Sequence, residues 1–315
     1  MTFREFKDIW VQKYAQGQVR SSTMSMYDGL FRKHLLPILG DRPLPSIGVE
    51  DVQELKSTKL AEGLSPQTVK HLLRLLRQML NHAVDWGYLR RNPATKVKDP
   101  SVPIKEMDCF SPEEVRLFLE HVPAKWKAFF LMAITTGLRQ GEILAAKWSN
   151  LDWNSQQYFV RENLARKRGK YEGGLAPTKT EGATARVDVS PHCLDALRQH
   201  RARQAEEKLQ AGEGYEDMDL IFANPLGTPL DHKNVVNRVF NPTLEAARLR
   251  RIRFHDLRHT CASLLIDMDE NPKYIQRQMR HASIDTTFNR YGHLFPDKKR
   301  EAMQRLDGLL MGCIG

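Results

Sequence analysis

Cysteine is scarce in this chain of 315 residues, and its spacing excludes two common kinds of scaffold. The four cysteines, Cys109, Cys193, Cys261 and Cys313, lie far apart and form no Cys-x-x-Cys pair. A zinc ribbon needs closely spaced ligand pairs, and a small disulfide framework needs a far higher density of cysteine. The sequence therefore favours an intracellular protein with reduced thiols.

Long apolar segments and the usual cofactor motifs are also missing. No apolar run approaches the roughly 20 residues that cross a bilayer, and the first residues contain no hydrophobic core of a secretion signal. The sequence has no GxxxxGK[ST] loop, no GxGxxG fingerprint and no HExxH helix. We therefore expect a cytoplasmic protein of a prokaryotic cell or a phage, with no membrane partner, no nucleotide cofactor and no metal.

Basic residues, by contrast, are abundant in both halves of the chain. Lys and Arg number 48 against 38 Asp and Glu, a net charge of +10, and the pI is about 9.4. Residues 1–107 contain 17 basic and 11 acidic residues, a net of 17 − 11 = +6, and the remainder contains 31 and 27, a net of +4. This balance favours a polyanionic partner. Charge alone is equally compatible with a basic protein that binds no nucleic acid.

The residue pattern predicts a mainly α protein with a small antiparallel β-sheet, an α+β fold. Residues 1–100 are predicted to form a helical domain, in which Ser65-Pro66 is a typical helix start. Apolar residues then recur at helical spacing until the pattern ends near Gly87. Prolines at 100 and 103, with no helical pattern around them, predict a linker over residues 101–107.

A second domain is predicted over residues 108–296. Ser111-Pro112-Glu113-Glu114 combines a capping box with proline at the first helical position. Apolar and polar residues alternate in Tyr158-Phe159-Val160 and again over residues 185–189, on either side of a basic, glycine-rich loop. We interpret this region as a small β-sheet inside an otherwise helical domain.

Two short segments in this domain contain side chains suited to phosphate. In the first, Thr136 to Glu142, a glycine precedes Arg139, which would lie near a helix N-terminus, and Glu142 one turn later could hold it in place. In the second, His255 and Arg258 are three residues apart and would share a helix face. Arginine offers a planar fork to phosphate oxygens. Each segment by itself is more typical of an ordinary side-chain pair than of a phosphate site.

The third segment contains His281-Ala282-Ser283 and then Arg290-Tyr291-Gly292-His293. A lone tyrosine is usually a core or interface residue, and this chain has eight. Order and spacing are more informative. TGLRxxE, HDLRHT, HxS and YGHLFP follow one another in a pattern that strongly resembles the catalytic boxes of the tyrosine recombinases, the lambda-integrase family of phage integrases. The stretch from Gly63 to Ala94 resembles the helical core-binding domain of that family.

The resemblance implies a role for each matching residue. Arg139 and Arg258 match the two arginines that clamp the scissile phosphate, and Glu142 supports the first. His255 matches the histidine before the second arginine, and His281 matches the His/Trp position. Tyr291 matches the covalent nucleophile.

The lysine of this family has several candidates here. Pro177-Thr178-Lys179-Thr180 resembles the family's lysine segment, so Lys179 is the predicted general acid. Lys167 and Lys170 are rivals in a loop that is less similar to the family. The chain departs from the family at Arg280, where glycine is common before the box histidine. The family pattern therefore does not predict the conformation of the turn at Arg280. The side chain of Arg280 offers an added phosphate contact. Many phage integrases begin with an arm-binding domain, whereas residue 1 is here expected to lie in the core-binding region.

The family implies cleavage and rejoining of DNA through a 3′-phosphotyrosine, without ATP or metal. The predicted partners are double-stranded DNA with recombination sites, three further copies in a tetramer, and accessory DNA-bending proteins. The predicted function is integration and excision of a mobile element. The alternatives are an Xer-like chromosome-dimer resolvase, a type IB topoisomerase, which rejoins the same strand, and a DNA-binding protein without catalysis. A DNA-binding protein without catalysis is disfavoured, because the sequence contains all six matching polar residues: Arg139, Lys179, His255, Arg258, His281 and Tyr291.

Residues 297–315 are predicted to form a C-terminal tail helix. Its apolar residues recur at helical spacing, at Ala302, Met303, Leu306, Leu309 and Leu310. The resemblance implies that this face docks on a neighbouring protomer, as commonly occurs in the family. Folding back onto its own domain is the alternative.

Overall fold

The computed structural model describes residues 1–103, 107–165, 174–177, 186–295 and 303–304. The chain divides into two compact units, Met1–Glu106 with Ala165–Gly174, and Met107–Leu164 with Leu175–Gly315. The described residues are mostly helical and their sheets are small, which confirms the predicted fold class. No helix among them is long and apolar enough to cross a membrane.

The helices of the first unit are α1 (Phe3–Trp10), α2 (Gln16–Gln18), α3 (Ser21–Leu30), α4 (Leu36–Leu39), α5 (Val49–Ala61) and α6 (Pro66–Asp85). Single π-helical turns join α1 to α2 and α3 to α4. α6 starts as predicted, because the Ser65 hydroxyl accepts a hydrogen bond from the Thr68 backbone N–H at 3.2 Å. Its apolar stripe is fully buried, at Leu72, Leu76, Met79, Leu80 and Ala83.

The remaining helices are α7 (Pro112–His121), α8 (Lys127–Thr136), α9 (Gln140–Leu144), α10 (Pro191–Ala211), α11 (His232–Val235), α12 (Asn241–Ala246), α13 (Asp256–Asp267), α14 (Pro272–Gln278) and α15 (Ile284–Tyr291). The predicted capping box at Ser111 starts α7. α8 is apolar on all sides and therefore lies in the centre of its unit, among buried aromatic residues. Those aromatic residues include Phe118, Phe129, Phe130, Phe240 and Phe254.

The strands are β1 (Leu151–Asp152), β2 (Gln157–Phe159), β3 (Glu162–Ala165), β4 (Gly174–Pro177) and β5 (Arg186–Asp188). β1, β2 and β5 form an antiparallel sheet in that order, in which Tyr158 pairs with Val187. β3 and β4 form a second sheet. The side chain of Gln278 exchanges two hydrogen bonds of 2.9 Å with the backbone of Asp188, so β5 is fixed beside α14.

Candidate active site

Arg139 lies at a break between two helices. α8 ends at Gly137, whose φ of +62° is left-handed and suits glycine because it has no Cβ. Arg139 then caps α9, and its backbone N–H donates to Glu142 Oε2 at 2.8 Å while its Nη1 donates to Oε1 at 3.0 Å. The Glu142 side chain is 6% exposed and the Arg139 side chain is 47% exposed. The carboxylate therefore fixes the arginine, which keeps further N–H groups for a ligand.

Arg258, on α13, is anchored by uncharged groups. It is 2% exposed, and its Nη1 and Nη2 donate to the carbonyl oxygens of Gly137 and Met279. Burial, with the positive charges of Arg139 and Arg280, lowers the pKa of Arg258 to about 10. The guanidinium therefore stays protonated at neutral pH, and the two carbonyls occupy only two of its N–H groups.

Two histidines lie one turn apart at the start of α13. His255 is exposed and His259 is buried, and their rings meet edge to face with centroids 5.0 Å apart. Partial burial of the ring and the charges of Arg258 and Arg139 lower the pKa of His255. Burial and the charge of His255 lower the pKa of His259 to about 4. His259 is therefore an uncharged hydrogen-bond acceptor at neutral pH.

Tyr291 is the last residue of α15 and is fully buried. Its hydroxyl oxygen lies 2.7 Å from His259 Nδ1, within hydrogen-bonding distance. In the tautomer of His259 that carries its proton on Nε2, Nδ1 accepts the proton of the phenol. Burial raises the pKa of the phenol to about 12, although the charges of Arg258 and Arg290 oppose this shift. The hydroxyl is thus protonated at rest and lies next to a ring nitrogen of His259.

His281 lies against the other side of this phenol. The rings of His281 and Tyr291 stack with centroids 6.2 Å apart and an interplanar angle of 16°. His281 Nδ1 lies 2.9 Å from the Thr287 hydroxyl, which fixes the orientation of the ring. Burial, followed by the charges of Arg258 and Arg290, lowers the pKa of His281 to about 4.

The backbone of Arg280 adopts a conformation that favours glycine. Its φ of +49° is left-handed, a conformation that a residue with a Cβ adopts at a cost. Its guanidinium donates to Glu142 and its side chain is 10% exposed. The turn therefore forms with arginine in place, and the arginine faces a buried carboxylate.

The structure thus brings Arg139, Glu142, Arg258, His255, His281 and Tyr291 into one cluster. It adds His259, which the sequence analysis quoted in HDLRHT without giving it a role. The signal was its position one turn after His255 on the same helix face. Lys179 and its rivals Lys167 and Lys170 lie outside the described residues, as does the predicted tail helix except for residues 303–304.

Metal chemistry has no visible site in the part of the chain that is described. No group of three or more His, Cys, Asp or Glu side chains there could hold a metal ion.

Two family models match the chain. One, described as the phage integrase family, covers residues 109–298, and the other, described as the N-terminal SAM-like domain of phage integrases, covers residues 2–60.

Among curated relatives, a protein of Caldanaerobacter subterraneus subsp. tengcongensis named tyrosine recombinase XerC-like is 29% identical over 99% of this chain and 84% of its own length. The ICEBs1 integrase of Bacillus subtilis is 28% identical over 89% of this chain and 76% of its own length.

Among solved structures, the Tn1549 transposon integrase in complex with transposon right end DNA has a TM-score of 0.82 at 20% identity, over 98% of this chain and 100% of that one. A lambda integrase tetramer bound to a Holliday junction has a TM-score of 0.63 at 18% identity, over 90% and 78%. At such identities these likenesses establish the fold.

Proposed function

Because the chain belongs to the phage integrase family, we propose that Tyr291 is its nucleophile, and that Arg139, Arg258, His255 and His281 bind and activate the phosphate that it attacks. The observation that carries this assignment is the position of the Tyr291 hydroxyl. The hydroxyl lies 2.7 Å from His259 Nδ1, and the ring of Tyr291 stacks on that of His281. The positive charge of Arg258 acts on the phenol.

The family assignment confirms the activity predicted from the sequence. The chain is a site-specific recombinase that cuts and rejoins DNA through a tyrosine. Its relatives include the integrase of a mobile element and an XerC-like recombinase. We assign integration and excision of a mobile element to this chain, and its similarity to the ICEBs1 integrase supports this assignment.

The first chemical step is attack of the phenol oxygen on phosphorus. The proton must leave a hydroxyl whose pKa is about 12, and His259 is the group bonded to it. His255, whose ring contacts that of His259, is the alternative acceptor once DNA is bound. The charge that develops on the non-bridging oxygens meets Arg139 and Arg258.

The second part of this step is departure of the 5′ oxygen. As the bond from phosphorus to that oxygen breaks, the oxygen needs a proton, because a free alkoxide is a poor leaving group. Lys179 is the proposed donor. The covalent phosphotyrosine preserves the phosphodiester energy, so a second 5′ hydroxyl can attack it and release Tyr291 without any external energy source.

Both regions of the chain are proposed to bind double-stranded DNA. Residues 1–107 and the remainder are each basic, with net charges of +6 and +4 from the counts 17 − 11 and 31 − 27. Since each neutralised phosphate releases about one counterion, binding is expected to weaken steeply with salt. A tetramer on paired sites, assisted by DNA-bending proteins, is the proposed assembly. The lambda integrase tetramer on a Holliday junction supports it.

The test of the nucleophile uses a nicked substrate that traps the covalent intermediate. Wild-type protein is expected to form a DNA adduct, and peptide mapping should place it on Tyr291. Tyr291→Phe keeps the ring and its packing, so it should bind DNA and form no adduct. Tyr158→Phe is the matched control, because Tyr158 is also buried but lies in the sheet. An adduct at wild-type rate in Tyr291→Phe would refute the assignment.

A second measurement separates the recombinase from a topoisomerase. Paired recombination sites on one supercoiled plasmid should yield exchanged products. Relaxation of the plasmid without exchange would instead support the type IB topoisomerase alternative.

A further inference from the structure

Arg280 occupies a backbone conformation that is unfavourable for it. Its φ of +49° brings a Cβ close to its own carbonyl, which typically costs about 1–2 kcal/mol in a residue other than glycine. The turn that it forms connects α14 to His281 and also presents the Met279 carbonyl to Arg258. Arg248 has a similar φ of +52° but is exposed, whereas the side chain of Arg280 is buried and makes a polar contact.

The contact is with the carboxylate that orients Arg139. Arg280 Nη2 donates to Glu142 Oε2, and both side chains are at least nine-tenths buried. Glu142 also accepts from the backbone N–H and Nη1 of Arg139, at 2.8 and 3.0 Å. One buried carboxylate therefore joins two guanidiniums. The Nε of Arg280 is buried without a hydrogen-bond partner, so the bond to Glu142 is the polar contact that fixes this side chain among the described residues.

The charges of these three groups decide what a phosphate would meet. Arg139 and Glu142 alone sum to zero, and a buried carboxylate beside Arg139 would repel a phosphate. Arg280 restores a net charge of +1 while its own guanidinium stays buried, with 10% of the side chain exposed. It therefore acts on a phosphate through the other two residues and not by direct contact.

We propose that Arg280 is a positioning residue for Arg139: it neutralises Glu142, so that the carboxylate can orient Arg139 without cancelling its attraction for phosphate. This inference rests on the proposed role of Arg139 in phosphate binding. It also corrects the expectation that Arg280 contacts phosphate itself, and it gives this chain a device that a glycine at position 280 would lack.

The ionisation of Glu142 supports the same arrangement. Burial raises the pKa of the carboxyl, whereas Arg280 and then Arg139 lower it, and the net shift is downward. The charges of Arg139 and Arg280 also act on Arg258, and that of Arg139 acts on His255 and His281. Tyr158 on β2 acts on Arg280. Without Arg280, Arg139 alone opposes the effect of burial. The pKa of Glu142 then rises, and protonation at mildly acidic pH would break its bonds to Arg139.

The experiment compares Arg280→Gly, Arg280→Met and Arg280→Lys in the full chain. The rate of adduct formation on the nicked substrate is measured between pH 5 and pH 8. Gly relieves the backbone and Met keeps the bulk, yet both leave Glu142 without its second cation. Both should react about tenfold more slowly at neutral pH, within the coupling energies usual for one ion-pair network. The acidic limb of their pH profiles should move to higher pH, and Lys should recover most of the rate.

A double variant tests the charge argument directly. Glu142→Gln combined with Arg280→Met removes the uncompensated carboxylate, so it should react faster than Arg280→Met alone. Thermal melting verifies that each protein is folded, and Arg280→Lys against Arg280→Met decides the question even if the glycine variant is unstable. Unshifted pH profiles and wild-type rates in the Gly and Met variants would overturn the inference. Absence of any wild-type adduct at Tyr291 would instead refute the proposed function.

Discussion

Each of the two units contains an arginine whose side chain donates to backbone carbonyls, and the difference between them distinguishes scaffold from active site. In the first unit, Arg77 donates to the carbonyls of Ala94 and Val97 at 3.1 and 3.2 Å and to the carboxylate of Asp99 at 2.5 Å. In the second, Arg258 donates to two carbonyls, and no carboxylate lies within ion-pair distance of it among the described residues. The carboxylate of Asp99 balances the charge of Arg77. The two carbonyls orient Arg258 without balancing its charge.

This difference has a physical cost on each side. The bond from Arg77 holds the pKa of the Asp99 carboxyl below its usual range, so the pair ties the segment after α6 to that helix. Arg258 is 2% exposed without such a partner, and its lowered pKa of about 10 records the unfavourable burial of charge. Anchoring by carbonyls thus fixes a cation in place for an anion that arrives later.

One histidine in each unit provides a second comparison between the two units. In the first unit, His82 Nδ1 accepts from the Trp10 indole N–H at 2.7 Å, and in the second, His259 Nδ1 shares a hydrogen bond of 2.7 Å with the Tyr291 hydroxyl. The indole N–H has no chemistry at neutral pH, whereas the phenol becomes a nucleophile when it loses its proton. In the proposed mechanism, a hydrogen bond of the same length therefore stabilises one unit and prepares a reaction in the other.

The largest expected effect comes from replacing the two arginines by lysine. Arg258→Lys keeps a positive charge but loses the fork that contacts two carbonyls and a phosphate together. It should slow adduct formation about 100- to 1000-fold, as loss of a preorganised donor usually does. Arg77→Lys should destabilise the protein by about 1.5–3 kcal/mol, the range for hydrogen bonds to charged groups, with an unchanged cleavage rate in the folded protein.

Single-turnover cleavage and urea denaturation of both variants check this contrast. Equal losses of cleavage in the two variants would show that the comparison between neutralised and charged arginines is wrong.

The two arginines also show how far sequence alone leads. The motif order assigned Arg258 to the site, and the caps at Ser65 and Ser111 placed α6 and α7, because these signals are local. The acceptor for Tyr291 was not predictable in the same way. It depends on how α15 packs on α13, which brings residues 32 positions apart to 2.7 Å. Nor did any local signal indicate that Arg280 would adopt a left-handed conformation, since its side-chain bond is to Glu142, 138 positions away in the sequence.

Replacement of His259 is expected to have an effect of intermediate size on stability and cleavage, and the effect on stability depends on pH. The folded pKa of His259 is about 4, below the unperturbed value of about 6.5. The unfolded chain therefore takes up the proton first, so the contribution to stability is full above about pH 6.5 and is lost as the pH falls through about 4. For this buried ring the contribution is about 3 kcal/mol. His259→Gln should flatten the dependence of stability on pH in that window.

Cleavage by His259→Gln should be about 100-fold slower, the lower end of the range for general base catalysis. His82→Gln removes an imidazole acceptor with the same 2.7 Å bond length from the first unit and should leave cleavage unchanged. Thermal melts and adduct assays over the pH series measure both quantities. If His259→Gln cleaved DNA at the wild-type rate, His255 and not His259 would be the acceptor of the Tyr291 proton.

The smallest expected effect separates backbone strain from disturbance of the site, through one glycine in each unit. Gly63 and Gly137 have φ values of +84° and +62°, so alanine at either position should cost about 1–2 kcal/mol. A Cβ at Gly63 meets nothing within 4 Å, whereas a Cβ at Gly137 would lie 2.8 Å from Met279 Sδ. Gly137 also supplies the carbonyl that anchors Arg258. We therefore expect Gly63→Ala to lower stability alone. Gly137→Ala should lower stability further and slow cleavage about tenfold, because a shift of that carbonyl misplaces a donor. Equal stability losses and unchanged cleavage in both variants would mean that the Gly137 turn does not set the position of Arg258.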